Sequence, residues 1–177
     1  MNYFELFGLP VQLKIDTKAL PRKYFELSRK YHPDYFATAS PEAQAEALDM
    51  SAQLNKALKT LQNPDETIKY VLQLKGLLAE EEKYTLHPSF LMEVMELNEQ
   101  LMELEMEPDA ALLSRTEAQT QQLIDDNYQL VAAILDNYQE AVTTEKELLQ
   151  VKEYYCRRKY RERIREKVKE MGKGLRV

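Results

Sequence analysis

Apolar residues recur at three- and four-residue spacing along most of the chain, and most breaks in that pattern fall at proline or glycine. A chain built this way packs helices on helices. No strand-like alternation persists, and no internal repeat of about 20–50 residues is present. Glycine occurs only four times, at positions 8, 76, 172 and 174, in a sequence rich in Ala, Leu, Glu, Lys and Gln. These are helix formers, so the chain is expected to be all-α.

The punctuation divides the helices. Tyr3 to Phe7 should form one or two turns, ended by Gly8-Leu9-Pro10. A basic helix follows over about 17–31, with Asp16 or Thr17 as N-cap. Pro21 is deep for a first-turn proline, which allows a start nearer Leu20. After a polar loop, Tyr35 to Ser40, the run Ser40-Pro41-Glu42 reads as an N-cap, an N1 proline and an acidic first turn. The helix from Pro41 to about Gln62 carries Ala47, Met50, Leu54, Leu58 and Leu61 on one face, and makes an antiparallel hairpin with the basic helix. Asn63-Pro64-Asp65 stops it and caps another, which ends at Gly76. Residues 77–87, with Glu80-Glu81-Glu82, read as a linker between a first part, 1–76, and a second, 88–177. The second part shows three long helical patterns, about 88–106, 109–137 and 139–171, expected to form an antiparallel three-helix bundle. Leu112, Leu123, Ile124, Leu130, Val131, Ile134 and Leu135 are the expected core of its second helix.

Charge supports the division. Residues 1–70 carry nine basic and nine acidic side chains, so the whole net charge of −6 falls on the remainder. Such a balance gives no general reason to expect nucleic-acid binding. Cys156 is the only cysteine, which excludes an internal disulfide, a multi-cysteine zinc site and a four-cysteine iron–sulfur site. The longest apolar run, Leu130 to Leu135, is far short of the roughly 20 residues a membrane helix needs. With no basic-then-apolar N-terminal pattern, a cytoplasmic-type compartment is the expectation.

Two places invite a functional reading. The first is Tyr31-His32-Pro33-Asp34. Proline disfavours helix in the residue before it, so the basic helix should stop at His32 and leave an imidazole and a carboxylate side by side in a loop. Leu20, Tyr24, Leu27 and Tyr31 share the apolar side of that helix. Lys18, Arg22 and Arg29 lie opposite, and Lys23 and Lys30 form a second basic row. Taken alone, the loop is an ordinary helix-ending turn. It is no catalytic pair, because the only other histidine is His87 and no nucleophile or metal-ligand cluster accompanies it.

The second is the stretch 90–106. Phe90, Val94, Leu97, Leu101 and Leu104 lie within about 80° on a helical wheel and form a core stripe. Opposite lie Leu91, Met92, Met95, Met102 and Met106 among Glu96, Glu99 and Glu103. A helix in a three-helix bundle needs one buried face. Flexible methionines edged by carboxylates suit an adaptable binding surface, although this stripe could equally pack on another helix.

The motifs together name a family. Tyr3 with Leu6, Gly8 and Leu9, the basic helix with Tyr24 and Leu27, the Tyr31-His32-Pro33-Asp34 loop, and Asn55 with Ala57, Leu58, Leu61 and Asn63-Pro64 resemble a J-domain. That module lets co-chaperones act on DnaK-type ATPase chaperones. Phe90-Leu91-Met92-Glu93, Met95-Glu96-Leu97 and Leu135-Asp136-Asn137 resemble the C-terminal bundle of HscB, a J-type co-chaperone of iron–sulfur cluster assembly. The resemblance implies a co-chaperone that is not an enzyme and holds no metal or cofactor of its own. It would bind an IscU-type scaffold protein, deliver it to an HscA-like chaperone and stimulate that chaperone's ATPase. It implies that His32, Pro33 and Asp34 trigger ATP hydrolysis while Arg22, Lys23, Arg29 and Lys30 dock on the chaperone. It assigns Leu91, Met92, Met95, Glu96, Glu99, Glu103 and Tyr154 to the scaffold, with Tyr155 as the alternative aromatic. Tyr35 stands where many J-domains carry lysine, removing one positive charge beside the loop. The alternatives are a J-domain co-chaperone with another client, or a helical nucleic-acid-binding protein with a decayed J-domain that uses Arg157, Arg158 and Arg161. From Lys152 to Arg176 there are eleven basic and four acidic residues. These are expected either to neutralise the seven acidic residues between Glu93 and Asp109 or to stay solvated.

Overall fold

The structure, a computed structural model, describes residues 1–175, and every regular element among them is helical. Two compact units emerge. One comprises Met1–Leu78 and Leu135–Thr144; the other comprises Ala79–Ile134 and the residues from Glu145 onward.

The first unit opens with α1 (Tyr3–Leu6). Asn2 caps it, and the Glu5 side chain reaches back to the Asn2 N–H, so a reciprocal capping box sustains a helix of only four residues. α2 spans Leu20–Tyr31. It starts three residues later than the 17–31 expectation, because Pro21 fits only the first turn and Asp16 instead accepts the N–H of Lys18. A short 3-10 turn, Pro33–Phe36, leads to α3 (Pro41–Leu61), which Ser40 caps through the Ala43 N–H. α2 and α3 run antiparallel: Tyr24 pairs with Asn55, and the Ser51 hydroxyl donates to the Tyr31 carbonyl. α4 (Pro64–Leu74) is capped by Asn63 and closed by Gly76 at a φ of +70°, which a side chain would strain. Phe4, Phe7, Leu13, Leu20, Leu54, Leu61, Val71 and Leu72 form the core. Tyr3 stacks on Tyr70 at 4.5 Å and donates its N–H to the Tyr70 hydroxyl, which locks α1 onto α4.

The second unit holds α5 (Pro88–Met106), α6 (Ala110–Gln129), α8 (Glu145–Cys156) and α9 (Arg158–Leu175). α7 (Ala132–Asn137) crosses the division between the units. α5, α6 and α9 pack mutually. Their shared core is Phe90, Val94, Leu97, Leu101, Leu104, Leu112, Leu113, Leu123, Ile164 and Val168. Each such side chain contributes about 1.5–3 kcal/mol of burial. Gly172 lies near Glu117 and Arg157 near Asn127, so α9 runs antiparallel to α6.

Three long helices therefore become five segments. The expected helix over 109–137 breaks at Leu130, which is 67% exposed rather than core, while Val131 is buried. The expected helix over 139–171 starts only at Glu145 and turns again at Arg157. Ahead of it, Ala141 takes a φ of +67°. The segment 135–144 belongs to the first unit, where Asp136 pairs with Lys14 at 3.0 Å and Glu140 with Lys75 at 2.6 Å. Part of the expected linker is structured as well. Leu86 enters the core of the second unit, and Glu82 accepts from the nearly buried Lys152 at 2.8 Å. The expected boundaries missed both because they arise from contacts distant in sequence.

Candidate functional site

The helix α2 ends where proline dictates. His32 is extended, at φ −64° and ψ 130°, and its Nδ1 accepts the N–H of Asp34 at 3.2 Å. The imidazole therefore caps the turn that presents Asp34, whose side chain is 90% exposed. The Tyr35 ring stands edge-on to the imidazole at 6.3 Å and is itself exposed. Arg22, Lys23, Arg29 and Lys30 are all exposed on α2. Arg29 lies over the exposed ring of Phe25 at 5.5 Å. Phe25 falls among the outward-facing basic residues, and helical periodicity alone did not single it out.

On α5 the two stripes separate. Phe90, Val94, Leu97, Leu101 and Leu104 are buried, whereas Met92, Met95, Met102 and Met106 are 61–87% exposed. Glu96, Glu99 and Glu103 are exposed between them, and Leu91 is half-buried against the core. Internal packing thus leaves the methionine stripe open.

Tyr154 is half-buried on α8, with the Arg161 guanidinium 4.1 Å above its ring and Tyr128 edge-on at 6.3 Å. Tyr155 is 5% exposed and has no surface to offer.

The cations of 152–175 do not neutralise α5. Lys152 binds Glu82, Arg157 binds Glu153 and Asn127, and Arg161 donates to the Tyr154 carbonyl at 2.7 Å. Arg163, Arg165, Lys167 and Lys169 are solvated, and Arg176 lies outside the described residues. Among the described residues no group of three or more His, Cys, Asp or Glu could hold a metal ion, and no helix is long and apolar enough to cross a membrane. Burial pushes the Cys156 thiol above its usual pKa.

Residues 86–169 match the family model of the HSCB C-terminal oligomerisation domain. The whole chain is similar to the solved structure of the chaperone HscB from Vibrio cholerae, at 30% identity and a TM-score of 0.71, with 99% of each chain covered. The chain belongs to the HscB co-chaperone family. The human co-chaperone protein HscB is similar too, at 27% identity and a TM-score of 0.72 over 96% of this chain and 81% of that one. The HscB likeness spans both units, so it takes in the His32-Pro33-Asp34 turn as well as the α5 face.

Proposed function

We propose that this HscB-family chain is an adaptor in iron–sulfur cluster assembly. It binds an IscU-type scaffold protein on the exposed face of α5, delivers it to a DnaK-type, HscA-like chaperone and stimulates that chaperone's ATPase. The observation that carries this reading is the double use of α5, which buries one apolar stripe and exposes another edged by carboxylates. Leu91, Met92, Met95, Glu96, Glu99 and Glu103 hold the scaffold. Tyr154 is the aromatic contact, because Tyr155 is buried.

The chain supplies no catalytic group to the reaction. His32, Pro33 and Asp34 act on the chaperone's own active site from outside. Arg22, Lys23, Arg29 and Lys30 steer the encounter with an acidic surface. Joining both contacts in one chain raises the effective concentration of scaffold at the chaperone. Binding of nucleic acid by Arg157, Arg158 and Arg161 is disfavoured, since Arg157 and Arg161 are spent on internal partners.

Calorimetric titration with the same organism's IscU-type scaffold tests the reading, with Met92→Ala/Met95→Ala as control. Binding that the double variant loses supports it. A wild-type chain that does not bind strips the scaffold from the assignment.

A further inference from the structure

At 100° per residue, Met95, Met102 and Met106 fall within about 40° of one another along α5. Met102 is 64% and Met106 87% exposed, so the apolar stripe continues past Glu103 to the end of the helix. There a shallow cavity of about 350 Å³ is lined by Glu99, Met102, Glu103, Met106 and Glu107 and by no cation. No carboxylate of these glutamates has an ion-pair partner among the described residues.

We infer that Met102, Met106 and Glu107 form a second seat for the scaffold protein, continuous with the first, that takes a lysine or arginine together with an apolar side chain. This rests on the scaffold-binding reading above. The chemistry of the seat selects its occupant. A purely apolar occupant would cover three carboxylates and leave them unpaired, at a desolvation cost that two methionines could not offset. A long cationic side chain fits both parts: its aliphatic stem lies on the thioethers and its head reaches the carboxylates. Methionine flexibility lets the floor adapt to the stem.

The test uses the full chain, titrated with the same organism's IscU-type scaffold, in three forms: wild type, Met92→Ala/Met95→Ala and Met102→Ser/Met106→Ser. Both methionines are solvent-exposed, so circular dichroism and thermal midpoint should not change. The expected result is binding at least about fivefold weaker in Met102→Ser/Met106→Ser, as for truncation of a contributing contact. A smaller change, with the Met92→Ala/Met95→Ala variant still impaired, overturns the second seat and leaves the first standing. Failure of the wild type to bind the scaffold overturns both. Sedimentation of the chain alone covers the remaining occupant: self-association that Met102→Ser/Met106→Ser abolishes would assign the seat to a second copy and overturn the inference.

Discussion

The Glu153 carboxylate accepts the backbone N–H of His87, the N-cap of α5, at 3.1 Å. The same carboxylate takes two guanidinium hydrogen bonds from Arg157, at 3.1 and 3.2 Å, and one from the Tyr84 hydroxyl. Arg157 in turn lies 4.6 Å above the Phe90 ring and donates to Asn127 at 2.7 Å. One acceptor thus fixes where α5 begins. Glu153→Ala would leave several donors without their partner, and loss of such a partner costs about 1–3 kcal/mol. Urea unfolding should show that destabilisation, and an unchanged midpoint would mean the donors find other partners.

The same cluster sets a pH window. Burial alone would push the Glu153 carboxyl up, but the hydrogen bonds from Tyr84, His87 and Arg157 outweigh it and hold the pKa below the usual carboxylate value. A lowered folded pKa stabilises above the unfolded value, near 4.5, and the contribution is lost as pH falls through the folded value. Tyr84 behaves oppositely. Burial, then its hydrogen bond to Glu153, pushes its pKa to about 12. Its contribution is present below the ordinary value of 10.0 and disappears as pH rises toward about 12. Glu153→Gln should therefore flatten the stability curve below about pH 5, measured as urea midpoints across pH. An equally steep acid limb in the variant would assign the acid sensitivity to other carboxylates.

Cys156 should be a slow thiol. Burial raises its pKa first; Lys152 and Arg158 pull it down, but less. The reactive species is the thiolate. Alkylation by iodoacetamide at pH 8 should therefore lag behind an unhindered cysteine peptide and accelerate above pH 9. Reaction at the peptide's rate would show that the thiol is neither shielded nor shifted.

The elements best foreseen were those whose boundaries are set locally. Ser40-Pro41 and Asn63-Pro64 carry cap and first turn within adjacent residues, and α3 and α4 begin where those pairs place them. The exposed half of α5 was visible because one helix wheel held two stripes. The break at Leu130 had no proline or glycine to announce it. The attachments of Asp136 and Glu140 to Lys14 and Lys75 were equally hidden, since each joins residues at least 65 apart in sequence. Of the two fates the sequence left open for the basic segment, neutralising α5 or staying clear of it, the structure shows the second, and the α5 carboxylates are solvated. Composition put a basic segment and an acidic one in the same bundle, but Lys152, Arg157 and Arg161 are held by Glu82, Glu153, Asn127 and the Tyr154 carbonyl.

His32→Gln separates the turn's structural role from its proposed signal. The imidazole contributes one exposed cap, Nδ1 to the Asp34 N–H. Losing an exposed cap of this kind costs about 0.5–1 kcal/mol, and glutamine retains an oxygen that can accept the same N–H. The fold should therefore survive, with a thermal midpoint within a few degrees of wild type. In single-turnover assays with the HscA-like chaperone, stimulation of ATP hydrolysis should fall to the basal rate. Raising salt should weaken stimulation by the wild type, because Arg22, Lys23, Arg29 and Lys30 are exposed and their attraction is screened beyond a Debye length of about 10 Å at 0.1 M. Scaffold binding on α5 should be untouched by His32→Gln, since it uses a different unit. Stimulation retained by the variant would remove the His32-Pro33-Asp34 turn from the mechanism and leave the basic face of α2, with the exposed Phe25 beside Arg29, as the part of this unit that reaches the chaperone.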